Sequence, residues 1–164
     1  MLQSLSPRRV FVGLALLAVI SMLFARVYLQ AFLGLEACPL CMSQRVFVVL
    51  WGVIALLGAL HNPAGWGRRV YAGLCGAAAW GGAAIAARHV WLQHLPADQV
   101  PACGMGLSYM METLPFTDVI KKVLQGSGEC AEKGWEFLHL SIAGWTLVFF
   151  IAMIVAAFAV IRRD

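Results

Sequence analysis

The chain has 164 residues, 62% of them hydrophobic and 12% charged, with a formal net charge of +4 and a mean hydropathy of +0.82. A chain this poor in charge is no soluble domain; it is an integral membrane protein that needs a lipid bilayer as its solvent. The positive excess lies in paired arginines beside apolar runs, so it calls for no nucleic-acid partner.

Crossing roughly 30 Å of hydrocarbon takes about 20 helical residues. Val10–Leu29 is the first such stretch and carries one charge, Arg26, near its far end, where snorkelling to the headgroups suffices. Its apolar run exceeds the roughly 7–15 residues of a signal-peptide core and no small-x-small cleavage site follows, so it is read as a retained helix. Next comes Cys38-Pro39-Leu40-Cys41 at the edge of a second apolar run. Two thiols with a two-residue spacer close a small, easily reduced disulfide, and Pro39 suits the first helical position because it lacks an N–H. Cys41 then falls in the first helical turn, where unpaired N–H groups and the positive dipole end favour a thiolate. Val46–Leu60 is long enough to span only if it starts near Met42, which draws Arg45 inside the membrane boundary.

The third span, Val70–Ala87, contains Gly73, Gly76, Ala77, Gly81 and Gly82, small residues that let a neighbouring helix approach closely. Cys75 within it reads as a small buried apolar residue. After it, Pro96–Met111 is rich in turn residues and holds Cys103. Phe116, Val119, Ile120, Val123 and Leu124 then recur at helical spacing opposite Asp118, Lys121 and Lys122, which predicts a short helix on the membrane surface. Residues 125–129 are flexible by composition and deliver Cys130, and Leu140–Ile161 is the fourth span.

Arg8 and Arg9, Arg68 and Arg69, and Arg162 and Arg163 all fall on one side of a four-span protein, and the positive-inside rule makes that side cytoplasmic, both termini included. Residues 30–41 and 88–139 then face the periplasm or another exoplasmic space. Cys38, Cys41, Cys103 and Cys130 share that compartment, where disulfides persist. The expectation is an all-α, polytopic four-helix bundle in which residues 1–164 form one integral membrane domain, with spans at about 10–29, 42–60, 70–87 and 140–161.

A c-type haem site needs His directly after the second cysteine, and Met42 stands there. A zinc site built from cysteines alone pairs two close-spaced motifs, whereas Cys103 and Cys130 are 27 positions apart, so no resident metal is expected. Two inert disulfides in a structural or adaptor protein are the plainer alternative. The two-residue spacer speaks against it, because so small a loop removes little unfolded-state entropy.

Cys-Pro-Leu-Cys-Met-Ser-Gln-Arg at 38–45, His89 with Trp91-Leu92-Gln93, Cys103 in a Pro-rich stretch, and Gly128-Glu129-Cys130-Ala131-Glu132 followed by Trp135 and Phe137 strongly resemble the DsbB family. The resemblance spans almost the whole chain. It implies a bacterial inner-membrane enzyme in which a reduced, periplasmic DsbA-like thioredoxin-fold protein attacks a Cys103–Cys130 disulfide, with Cys103 forming the mixed disulfide. Cys130 then exchanges with Cys38, and electrons leave through Cys41 to a bound quinone, ubiquinone or menaquinone, from the membrane pool. The same resemblance implies that Arg45, one helical turn from Cys41, holds the quinone oxygen and that His89 sits nearby. Spacing alone leaves Arg45 open equally to snorkelling, and His89 open to being an ordinary interfacial histidine. Trp91, Trp135 and Trp145 fit an aromatic belt. A vitamin K epoxide reductase-type quinone enzyme is a further alternative, disfavoured because its quinone-side cysteine pair lies on a late helix.

Overall fold

The computed structural model describes residues 6–35, 37–96, 98–100, 107–132 and 134–162. Four helical rods dominate it. Helix α1 (Pro7–Leu23) runs on into a π-helical segment (Phe24–Phe32), and α2 (Pro39–His61), α3 (Trp66–Leu92) and, late in the chain, α7 (Ile142–Ile161) follow. Each rod is long and apolar enough to cross a membrane, from 20 residues in α7 to 27 in α3. At about 1.5 Å per residue even α7 reaches roughly 30 Å.

Between α3 and α7 lie three short helices, α4 (Leu107–Thr113), α5 (Phe116–Gln125) and α6 (Gly128–Ala131), and an antiparallel pair of two-residue strands, β1 (Glu136–Phe137) and β2 (Leu140–Ser141). The expected surface helix is α5. Val119 and Val123 pack inward on Met110 and Leu114, while Phe116, Ile120 and Leu124 stay exposed, as suits a helix resting on a bilayer. Helix α4, α6 and the strand pair form where composition suggested turns and flexible backbone. Trp145 Nε1 of α7 ties down the strand pair by donating to the Phe137 carbonyl at 3.0 Å, and a local turn bond from Cys130 N to the Ser127 carbonyl at 2.9 Å closes α6.

Helix α1 packs on α2, α2 on α3, and α3 most extensively on α7. Small residues allow this. A Cβ on Gly81 would run into the Phe47 ring, and one on Gly82 into the Phe150 ring. Phe11, Trp51, Phe150 and Met153 fill the core, with Cys75 among them as a small apolar residue. Ile20, Val46, Leu60 and Val155 point outward although apolar, the arrangement lipid rewards and water would penalise.

Two features of the rods position the site. Helix α3 continues past residue 87 to Leu92, so His89 and Leu92 are helical and buried, facing the start of α2. The end of the first rod is π-helical, a widened geometry that often marks functional sites.

Candidate active site

Cys38 is the N-cap of α2: its Sγ accepts from the Cys41 backbone N–H at 3.4 Å, and Pro39 takes the first helical position. The pair is therefore folded against a helix N-terminus, where backbone N–H groups face the sulfurs. From α3, His89 turns its ring nitrogens toward both sulfurs. Its Nε2 lies 3.9 Å from Cys38 Sγ and its Nδ1 4.0 Å from Cys41 Sγ. Behind the ring, the buried Gln44 side-chain amide lies 3.3 Å from Nδ1 and fixes the imidazole plane.

Cys130 reaches the same point from the other direction. It is fully buried and packs with Cys38, Leu40 and Leu92. The hydrogen bond to Cys38, and then burial, push the Cys130 thiol well above its ordinary value, so it is held protonated as a donor to that sulfur. Gly126 makes the approach possible. It ends α5 with φ of +79°, a conformation that disfavours other residues, and a Cβ there would strike Leu92. Cys38, Cys41, Cys75 and Cys130 are free thiols. Cys103 lies outside the described residues.

Two openings meet at Cys41. The first, of about 310 Å3, is the more polar of the two and is lined by Cys38, Cys41, His89, Gln93, Glu129 and Glu132 among others. Ser141, the N-cap of α7, donates to Gln93 Oε1 at 2.6 Å and holds that side chain at the rim. The second, of about 340 Å3, is a largely apolar cleft between the end of the first rod and α7, with Cys41, Gln44 and Arg45 of α2 along it. Cys41 is thus reached from the more polar cavity on one side and the apolar cleft on the other.

Arg45 does not simply reach for the headgroups. Its Nη1 donates to Gln30 Oε1 at 2.7 Å, and its Nη2 to the Ala25 carbonyl at 3.5 Å. Arg26 donates to the same Gln30 oxygen at 3.5 Å, so snorkelling does not exhaust its role. Both acceptors of Arg45 belong to the π-helical segment. Gln30 belongs to no motif and Gln44 stands in the 38–45 stretch without a role read for it; their signal is polarity inside apolar runs, Gln30 four residues after Arg26 and Gln44 three after Cys41.

Apposed thiols at a helix N-terminus, within four apolar rods, define a multi-pass membrane protein of the thiol-disulfide oxidoreductase class. The chain belongs to the DsbB family: the model of Disulfide bond formation protein DsbB matches residues 7–160. It is 54% identical over 151 residues to Disulfide bond formation protein B of Hahella chejuensis, covering 92% of each chain. It is 49% identical to that of Marinobacter nauticus, covering 92% of this chain and 90% of the relative. Against Disulfide bond formation protein B 1 of Pseudomonas aeruginosa it is 48% identical, covering 90% of each. This membership removes the vitamin K epoxide reductase-type alternative, and the four-helix membrane architecture is that of the family.

Proposed function

We propose that the protein reoxidises a periplasmic DsbA-type dithiol and passes the two electrons to a membrane quinone, ubiquinone or menaquinone, in the bacterial inner membrane. The observation that carries this reading is the line of sulfurs from Cys130 through Cys38 to Cys41, ending on an apolar cleft beside Arg45.

A partner thiolate attacks Cys103 of a Cys103–Cys130 disulfide, and Cys130 leaves with the electron pair. Cys130 then attacks Cys38 of the Cys38–Cys41 disulfide, and Cys41 leaves as a thiolate among the N–H groups that open α2. The second partner thiol displaces Cys103, which releases the oxidised partner. Cys103 attacks Cys130, freeing Cys38 and restoring the first disulfide. The net result is an oxidised partner and a reduced Cys38–Cys41 pair. A quinone, when bound, accepts two electrons and two protons.

The cleft suits a flat apolar ring carrying two carbonyl oxygens. Its walls include Ile20, Leu29, Val48 and Phe149, and Gln44 and Arg45 are the polar side chains that α2 brings to it beside Cys41. Arg45 would hold a carbonyl oxygen through its guanidinium, with Gln30 and Ala25 fixing its direction. His89, facing both sulfurs and lining the more polar of the two openings, is placed to exchange protons with either thiol. The arginine pairs at both ends and between α2 and α3 put those regions in the cytoplasm and the cysteines in the periplasm.

The test is detergent-solubilised protein given reduced DsbA and a soluble quinone, with quinone absorbance followed over time. Consumption that requires both substrates, and that Cys41→Ser abolishes, is expected. No consumption by folded protein would return the chain to a structural role with inert disulfides.

A further inference from the structure

Cys38 Sγ, Cys41 Sγ and a ring nitrogen of His89 all lie within 4.8 Å of one another. Tetrahedral zinc, with Zn–S near 2.3 Å and Zn–N near 2.0 Å, sets its ligands roughly 3.5–3.8 Å apart. Cys38 Sγ stands 3.9 Å from Nε2 and Cys41 Sγ 4.0 Å from Nδ1, and one set of three ligand atoms spans no more than 4.8 Å, so a contraction of up to about 1 Å closes it on a single nitrogen. A ligating imidazole donates its other N–H to an outer partner, and the buried Gln44 amide, whose nitrogen lies 3.3 Å from Nδ1, becomes that partner by a half-turn that presents its oxygen, leaving Nε2 toward Cys38. The cluster opens into the more polar cavity, where the exposed Glu129 and Glu132 draw cations and a fourth ligand position stays accessible.

We propose that the reduced Cys38–Cys41 pair and His89 form a binding site for a thiophilic divalent cation of the zinc class, and that the ion arrests the enzyme in its reduced state. Binding replaces two thiol protons, which leave to solvent, and changes no oxidation state. Forming the Cys38–Cys41 disulfide removes both sulfur ligands, so the site exists only while the pair is reduced, before its electrons leave to the quinone. It is a competitor of the redox chemistry, not a resident centre. The binding stands on the cluster alone; the arrest rests on the exchange reading given above.

The full-length protein, stripped of quinone and reduced, is titrated with Cd2+ and read by near-ultraviolet cadmium–thiolate absorption, with Zn2+ as competitor. A Cys103→Ser, Cys130→Ser background removes the other exoplasmic thiols. One equivalent should bind to the reduced pair and none to the oxidised pair. His89→Ala should weaken binding tenfold or more, and Gln44→Leu about tenfold, the lower end of what a lost outer partner costs. His89→Cys, which supplies a different ligand to the same place, should restore binding and so separate ligation from a packing defect. Unchanged affinity in His89→Ala, or a full equivalent on the oxidised protein, overturns the site. Arrest is read on the unmodified protein: micromolar Zn2+ should slow quinone reduction, and a chelator should restore it. Zinc that binds without slowing turnover overturns the arrest. Protein that binds cadmium yet never consumes quinone with reduced DsbA overturns the exchange reading instead.

Discussion

Replacing Gln30 by Leu probes how the first rod directs Arg45. Leucine keeps roughly the volume and removes the acceptor that Arg45 Nη1 meets at 2.7 Å. A hydrogen bond to a charged group contributes about 1.5–3 kcal/mol net. Arg45 is only half-buried and keeps the Ala25 carbonyl, so about 1 kcal/mol is the expected loss of orientation. With 1.4 kcal/mol per decade, the KM for quinone should rise about fivefold. Steady-state quinone titration at saturating reduced DsbA measures this, and the rate of mixed-disulfide formation with DsbA should not move. Arg45→Met should raise KM further, and adding Gln30→Leu to Arg45→Met should cost nothing more, because the pair acts through one guanidinium. A KM within twofold of the unmodified protein in Gln30→Leu, or an additive double variant, would refute the claim that Gln30 works by holding Arg45.

Three other outcomes are expected. An impermeant thiol reagent applied to reduced cells with a permeable outer membrane should label Cys103 and spare Cys75, which is buried in the helical core; protection of Cys103 would reverse the orientation. Cys130→Ser given oxidised DsbA should accumulate a Cys103–DsbA mixed disulfide on non-reducing gels, since the Cys103 thiolate opens the partner's disulfide and Cys130, which would displace the partner in return, is gone; absence of that adduct would reassign the cysteines. Gly82→Val should destabilise the α3–α7 contact by about 1–3 kcal/mol, because its side chain enters the space of the Phe150 ring, and Phe150→Leu should recover part of the loss in thermal unfolding; a stable Gly82→Val protein would mean the helices separate cheaply.

The rods were legible because lipid imposes a one-dimensional rule: every backbone polar group must be satisfied within the segment, so a long run without charge has to be a helix. The start of α2 was equally legible, since Cys38, Pro39 and Cys41 lie within one turn and local capping geometry places them. Partners distant in sequence were another matter. That Cys130 reaches Cys38 depends on Gly126 bending the chain back under Leu92, a contact that no local pattern encodes. That His89 faces both sulfurs, backed by Gln44, required α3 to run on to Leu92 and α2 to cross it at that height. The bond from Arg45 to Gln30 depends on the pitch of a π-helical segment, which hydropathy does not distinguish from an ordinary helix. Composition and spacing determined the solvent, the spans and the reactive pair, because each is fixed within a few helical turns; the meeting of thiols, imidazole and guanidinium was decided only by packing, which brings together residues separated by tens of positions.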